Sequence, residues 1–201
     1  TASCRSRITY IDGDIGKLMY RGYDIAYLAT KKSFLDTAFL LLHKELPTKD
    51  EYKSFLLELK KRSFIHESMR KLFDAFPDNA HPMAILSAAV SALSAFYFDH
   101  LDMDSPEEAK EMAHRIIAKI PTIAAFSYRY SQGLPIIYPD LDKGFTENFL
   151  YMIRGYPHHH IDLKPIEVKA LDTIFTLHAD HEQNASTTAV RVVASTHAHP
   201  Y

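Results

Sequence analysis

The stretch TLHADHEQNAST, residues 176–187 of this 201-residue chain, contains the side chains whose types and spacing could do chemistry. His178 and His181 are three positions apart, and the carboxylates of Asp180 and Glu182 flank the second histidine. An imidazole can transfer a proton, form hydrogen bonds or bind a metal ion near neutral pH. The surrounding spacing is typical of a helix, in which residues three apart lie about 60° apart around the axis. We therefore expect both imidazoles on one helical face.

The apolar residues that precede these histidines predict which way the pair points. The stripe has helical spacing, and His178 continues it; its members are Ile166, Ala170, Leu171, Ile174 and Phe175. We therefore predict that His178 points inward. A buried imidazole needs hydrogen-bond partners, and these could come from a satisfied core network or from a bound ligand.

A metal site is the competing interpretation of these histidines. The zinc-protease pattern would require a second histidine four residues after His181, where the chain has Ala185. The clusters HHH at 158–160 and HAH at 197–199 could bind stray metal from exposed loops. We predict no specific metal site.

The elements that must position these residues begin with a hairpin. Two strand-like runs between about 8 and 20 flank Asp12-Gly13, a dipeptide that suits a tight turn. Beyond this hairpin, the apolar spacing of three and four predicts helices. The predicted fold is all-α, with one short N-terminal β-hairpin.

Three helix starts have capping residues at the expected spacing: Ser33 with Asp36, Thr48 with Glu51, and Ser105-Pro106 with Glu108. Further helices are predicted at about 66–75, 82–98, 121–131, 145–154 and 165–180. Breaks are predicted at Pro47, Pro77, Pro121, Gly133 to Pro135, Pro139 and Pro157.

Composition excludes several functional classes. The formal net charge of −2 leaves no basic surface for a phosphate backbone, so we expect no nucleic-acid binding. The only cysteine, Cys4, cannot form an internal disulfide, which favours a reducing cytoplasm. The longest apolar run, residues 83–97, is too short to span a bilayer, and we expect no membrane association.

The segment LHADHEQNAST closely resembles a signature of citrate synthases, in particular the bacterial group whose members form dimers or hexamers. Four other segments resemble that family in the same order: TASCRSRITYIDGDIGKLMYRGYDI, SFIHESMRKLFDAFPDNAHPMA, IAKIPTIAA and FTENFLYM. The resemblance covers essentially all 201 residues. It implies that residues 1–201 form part of the large helical domain of such an enzyme.

The resemblance implies a reaction and a site. Citrate synthases condense acetyl-CoA with oxaloacetate and water, the first step of the tricarboxylic acid cycle, and acetyl-CoA is a substrate, so no separate cofactor is expected. His181 matches the family histidine that hydrogen-bonds oxaloacetate, with His178, Asp180, Glu182 and Asn184 expected to position it. A homo-oligomer, dimer or hexamer, is expected.

The resemblance also implies that the family's catalytic residues lie downstream, together with a small domain that closes over substrate. None of the 201 residues matches the motifs that hold the catalytic side chains. We therefore expect unburied apolar faces, and no condensing activity from this chain alone.

A second implied site is regulatory. Tyr97, Arg115 and Lys119 match positions that line an inhibitory NADH site in some members, and His158 stands where some have a reactive cysteine. The alternative interpretation of Arg115 and Lys119 is an exposed basic helix face.

Two alternative functions remain open. One is a 2-methylcitrate synthase, which uses propionyl-CoA. The other is a non-catalytic helical module that binds other proteins.

Overall fold

The computed structural model describes residues 5–97, 105–158 and 161–196. Its first secondary-structure element is a small antiparallel sheet. Strands β1 (Thr9–Asp12) and β2 (Lys17–Tyr20) pair with Thr9 opposite Tyr20, and β3 (Tyr23–Asp24) extends the sheet beside β2. The predicted hairpin is confirmed, and β3 adds a two-residue strand that the sequence analysis missed.

The rest of the described chain is helical, as predicted. The helices are α1 (Ile25–Lys31), α2 (Phe34–His43), α3 (Lys49–Arg62), α4 (Arg70–Asp74), α5 (Pro82–Ala92), α6 (Ser94–Tyr97), α7 (Pro106–Ser131), α8 (Phe145–Arg154), α9 (Pro165–Leu177) and α10 (Ala185–Ala194). A short 3-10 turn, Glu67–Met69, precedes α4.

The three predicted caps start the predicted helices. Ser33 and Asp36 form a reciprocal capping box at the start of α2. Thr48 and Glu51 do the same for α3, and Ser105 accepts a backbone hydrogen bond at the start of α7. These bonds satisfy N–H groups that have no partner inside the helix, which explains why the helices begin at these residues.

The chain divides into two compact units. The first consists of the described residues of Thr1–Leu56 together with Lys164–Thr196. Its core contains Tyr20, Leu28 and Leu40, all fully buried where β2, α1 and α2 meet. This unit contains both the hairpin and the histidine segment.

The second unit consists of the described residues of Leu57–Leu163. Its core is formed largely by α4, α5 and α7, and its buried members are Ile65, Met69, Phe73, Ile85, Ala89, Leu93, Ile123 and Phe126. The predicted helix over 82–98 is divided between α5 and α6, and residue 98 lies outside the described residues.

The predicted break at Pro121 is wrong, because α7 runs through it without interruption. A proline inside a helix removes one backbone hydrogen bond and crowds the preceding turn. Around Pro121 the helix is held from the side, since Lys119 and Thr122 donate side-chain hydrogen bonds to backbone carbonyls of residues 62–64. Tertiary contacts therefore outweigh the local cost.

The predicted inward stripe of α9 is also wrong. Ile166 is 71% exposed and Ile174 is 49% exposed. The expectation of unburied apolar faces is confirmed here and on α10, where Val190 and Val193 are exposed.

The side of α9 that contacts α1 and α2 combines the Phe175 ring, which packs edge-on against Phe34, with polar side chains. Lys169 donates from Nζ to the carbonyls of Ala29 and Lys32, both at 3.1 Å, at the end of α1. The Asp172 carboxylate accepts from the Phe34 N–H at 3.0 Å, at the start of α2. Helix ends carry unpaired backbone groups, so polar side chains make the better contact there.

Within the described part of the chain, none of the helices has both the length and the apolar character needed to cross a bilayer.

Candidate functional site

The histidine segment forms a turn between two helices. Helix α9 ends at Leu177, three residues before its predicted end at residue 180. His178 closes the helix, Glu182 adopts a positive φ of 59°, and Asn184 begins α10 by accepting from the Thr187 N–H at 2.8 Å. A positive φ is uncommon for a residue other than glycine, so the conformation of this turn requires support from its surroundings.

That support comes from the hairpin. The Thr9 hydroxyl donates to the Asp180 carboxylate, and the Ile11 N–H donates to Glu182 Oε1 at 3.2 Å. The Asp180 carboxylate also accepts from the Glu182 N–H at 3.0 Å, across the turn. Both carboxylates are therefore engaged in holding the backbone on either side of His181.

The Tyr20 hydroxyl forms the buried part of the same support. It lies 3.0 Å from the Asp180 carbonyl and 3.2 Å from the Leu177 carbonyl, and it accepts from the Asp180 N–H at 3.4 Å. Burial raises the pKa of Tyr20, and the nearby Asp180 carboxylate raises it further. The phenol therefore remains a protonated donor to these carbonyls at neutral pH.

The two imidazoles lie together, as predicted, but they do not point inward. Their ring centroids are 5.8 Å apart, and both residues are exposed. His178 Nδ1 lies 2.8 Å from the Ile174 carbonyl, and His181 Nε2 lies 3.3 Å from the Leu177 carbonyl. The turn, and not a shared helical face, brings them together. An open imidazole is available to a ligand.

The predicted regulatory residues are only partly brought together. The Arg115 guanidinium lies over the Tyr97 ring, 4.1 Å from its centroid, and the Lys119 ammonium lies 5.4 Å from the same centroid. His158 is exposed in the turn after α8, with a φ of 59°, and the cation–π contacts of the other three do not include it.

Arg115 and Lys119 do not form an exposed basic face. Lys119 is 4% exposed and donates from Nζ to the carbonyls of Arg62 and Phe64. Burial, together with the nearby guanidinium groups of Arg115 and Arg62, lowers its pKa to about 8. This lysine has a clear structural role in joining α7 to the end of α3.

A carboxylate missed by the sequence analysis balances these cations. Glu111 accepts from Arg62 Nε at 2.8 Å and Nη2 at 2.6 Å, and from Arg115 Nη2 at 3.2 Å. The hydrogen bonds from Arg62 hold the pKa of Glu111 below its ordinary value. No sequence signal pairs Arg62 with Glu111, because they lie on different helices.

The second unit also contains a cavity of about 340 Å³. Its lining is aromatic, basic and apolar, and consists of Tyr128, Arg129, Leu134, Ile153, Arg154, Tyr156 and Ile161. The buried Arg129 donates to the carbonyls of Pro135, Met152 and Ile153, so it satisfies backbone groups in the loop after α7 and at the end of α8. Over residues 5–97, 105–158 and 161–196, no three His, Cys, Asp or Glu side chains are grouped to hold a metal ion. The clusters at 159–160 and 197–199 lie outside those ranges.

Comparison with known proteins places this fold and this turn in a family. Residues 1–201 match the family described as citrate synthase, C-terminal domain. A citrate synthase from Helicobacter pylori is 52% identical over 210 residues, which cover 100% of this chain and 49% of that protein.

Solved structures give the same result. The crystal structure of citrate synthase from Pyrobaculum aerophilum has a TM-score of 0.87 at 35% identity and covers all of this chain and 50% of that one. The ternary complex of carboxymethyl coenzyme A and oxaloacetate with citrate synthase from Thermoplasma acidophilum has a TM-score of 0.90 at 26% identity, covering all of this chain and 51% of that one.

The chain therefore belongs to the citrate synthase family, as its sequence motifs predicted. It spans about half the length of the relatives it matches.

Proposed function

We propose that the complete gene product condenses acetyl-CoA with oxaloacetate and water to give citrate and CoA, the first step of the tricarboxylic acid cycle. The observation that carries the proposal is the exposed imidazole of His181, held between two engaged carboxylates in a chain of this family. The Thermoplasma acidophilum relative was solved with oxaloacetate and a coenzyme A derivative, which supports the same substrates here. We also propose a cytoplasmic homo-oligomer, dimer or hexamer.

His181 hydrogen-bonds oxaloacetate in this proposal. Its Nε2 contact with the Leu177 carbonyl, at 3.3 Å, is longer than a typical hydrogen bond, so a ligand oxygen can replace that carbonyl at little cost. Asp180 and Glu182 fix the backbone on either side, and His178 fixes the neighbouring ring position. Asn184 acts one step further away, as the cap of α10.

The catalytic groups lie elsewhere in the proposed enzyme. Removing a proton from the acetyl methyl group requires a carboxylate base and a donor that stabilises the developing enolate oxygen. The carboxylates beside His181 are already occupied by Thr9, Ile11 and the backbone of the turn. We therefore propose that the 201 residues alone release no CoA.

Replacing His181 with alanine in the complete gene product tests the proposal. One hydrogen bond to a charged ligand is worth about 1.5–3 kcal/mol, so the oxaloacetate KM should rise roughly 10- to 150-fold. CoA release is followed with a thiol reagent while oxaloacetate is varied.

The matched control is His81→Ala. His81 is exposed in the other unit, and its Nδ1 caps α5 by accepting from the Met83 N–H at 3.2 Å. This variant should lose thermal stability without a change in the oxaloacetate KM. If His181→Ala behaved in the same way, His181 would be a structural histidine.

Comparing acyl donors separates the proposed enzyme from the alternatives. Faster CoA release with acetyl-CoA than with propionyl-CoA supports citrate synthase, and the reverse order supports a 2-methylcitrate synthase. No CoA release with either donor would favour a non-catalytic module.

We further propose that Tyr97, Arg115 and His158 line a site for NADH, and that the buried Lys119 stabilises it. Support comes from the contact of two cationic side chains with the Tyr97 ring, because an aromatic face beside positive charge suits a phosphorylated nucleotide. Lys119 supports the site by joining α7 to α3. His158 is included in this proposed site only through the resemblance, because it stands at the family position where some members have a reactive cysteine.

A further inference from the structure

The turn that contains His181 depends on the hairpin for its shape. Between the end of α9 and the start of α10, Glu182 adopts a positive φ that costs free energy for a residue with a side chain. The hydrogen bonds from Thr9, Ile11 and Tyr20 act on the residues immediately before and after His181. They come from residues about 160 to 170 positions earlier in the chain.

We propose that the hydroxyl groups of Tyr20 and Thr9 are positioning groups that hold His181 where it binds oxaloacetate. The inference rests on the proposed role of His181 and assigns a further function to the hairpin. Neither hydroxyl contacts the substrate in this proposal. Each acts through Asp180, the residue that precedes the histidine.

The Tyr20 hydroxyl fixes the backbone. It bridges the Leu177 and Asp180 carbonyls, so it joins the last turn of α9 to the residue before His181. The Tyr20 ring is fully buried with Leu28 and Leu40. The packing role of the ring can therefore be separated from the hydrogen-bonding role of the hydroxyl by changing tyrosine to phenylalanine.

The Thr9 hydroxyl fixes the side chain. It donates to the same Asp180 carboxylate that accepts from the Glu182 N–H. Asp180 thereby connects β1 to the backbone on the far side of His181. Loss of the Thr9 hydroxyl removes one of the two hydrogen bonds to this carboxylate, so the carboxylate holds the positive-φ residue less firmly.

The decisive experiment uses Tyr20→Phe in the complete gene product, with oxaloacetate affinity measured by calorimetry and by steady-state kinetics. Loss of groups that orient metal-ligating side chains typically weakens metal binding about 10- to 100-fold, and we expect an effect at the lower end of this range for a ligand-binding histidine. We expect Tyr20→Phe to raise the oxaloacetate Kd and KM about tenfold. The acetyl-CoA KM should change much less, because both hydroxyl groups act on the turn that contains His181.

Tyr10→Phe is the matched control. Tyr10 lies in the same hairpin, is 52% exposed, and its hydroxyl bonds to Asp12 in its own strand at 3.2 Å. The control should leave the oxaloacetate Kd unchanged. If Tyr20→Phe fails to fold, Thr9→Val replaces it, and Thr9→Ser, which restores a hydroxyl, should recover the affinity.

His181→Ala is measured in parallel to separate the two levels of inference. If His181→Ala weakens oxaloacetate binding while Tyr20→Phe and Thr9→Val only lower the melting temperature, the hairpin is purely structural and this inference fails while the proposed site stands. If His181→Ala leaves oxaloacetate binding unchanged, the proposed site fails and the positioning role fails with it.

Discussion

The charge cluster around Glu111 gives a sharp test of the second unit, through the substitution Glu111→Gln. Glutamine keeps the shape of the side chain but replaces one acceptor oxygen with an NH₂ group. Arg62 donates one hydrogen bond to each of the two carboxylate oxygens of Glu111. The new NH₂ group would face one of these N–H donors and could not accept its hydrogen bond. The substitution also removes the negative charge beside Arg115.

The expected loss of stability follows from these contacts. A hydrogen bond to a charged group contributes about 1.5–3 kcal/mol when it is well shielded. The Glu111 side chain is 37% exposed, so solvent screening reduces this contribution. We therefore expect Glu111→Gln to destabilise the fold by about 1–2 kcal/mol, measured by denaturant or thermal unfolding of the complete gene product.

Glu67→Gln is the control for the Glu111 experiment. Glu67 pairs with Arg70 at 3.8 Å, and both side chains are largely exposed. An exposed pair of this kind contributes less than about 0.5–1 kcal/mol. Equal effects of the two substitutions would refute the reasoning that the cluster stabilises the unit.

The effect of Glu111→Gln should also depend on pH in a defined direction. Arg62 lowers the pKa of Glu111, so the folded state binds fewer protons than the unfolded state between the lowered value and the ordinary value of 4.5. The stabilisation is therefore complete above pH 4.5 and is lost as the pH falls through the lowered value. The difference in the free energy of unfolding between wild type and Glu111→Gln should therefore become smaller at acidic pH.

The remaining predictions concern Lys119 and Arg115. Burial and the nearby guanidinium groups lower the pKa of Lys119 to about 8, so the folded protein releases this proton at a lower pH than the unfolded chain does. The free energy of unfolding should therefore rise between about pH 8 and 10.5 relative to Lys119→Met, as measured by urea unfolding at several pH values. A parallel rise in both proteins would contradict the burial argument. NADH should slow condensation, and Arg115→Gln should weaken that inhibition more than Arg154→Gln does. Equal inhibition of both variants would remove Arg115 from the proposed site.

The parts of the fold that depend on neighbouring residues could be predicted from the sequence. The starts of α2 and α3 follow from Ser33 and Thr48, because each cap and its partner are three residues apart. The hairpin follows from two strand-like runs with a turn signal between them, although the predicted turn dipeptide is wrong: Asp12 ends β1, and the positive φ lies at Gly16. The start of α10 could have been predicted in the same way, because Asn184 is a favourable N-cap residue. The sequence analysis assigned Asn184 only to the oxaloacetate site.

The parts that depend on distant residues could not be predicted. Helix α9 has no glycine or proline to mark its end, and it ends at Leu177, where the buried Tyr20 hydroxyl lies beside the last carbonyl. The continuation of α7 through Pro121 likewise depends on contacts with residues 62–64. Helical periodicity predicted that the two histidines lie close together, but the reason and the direction were wrong. A turn, not a helical face, brings them together, and both are exposed.

The division of the first unit between two separate segments has a consequence for the order of events during synthesis. Residues 57–163, which belong to the other unit, are made between the hairpin and the histidine turn. At typical translation rates this interval lasts roughly 5–20 s, long enough for the intervening unit to fold first. Until Asp180 and Glu182 leave the ribosome, the outer edge of β1 lacks the hydrogen-bond partners that these residues provide. Joining the two segments closes a loop that contains residues 57–163, which costs about 4 kcal/mol of chain entropy. The order of synthesis therefore favours late assembly of the histidine turn on the hairpin. The exposed strand edge of the nascent chain is most vulnerable to mispairing in that interval.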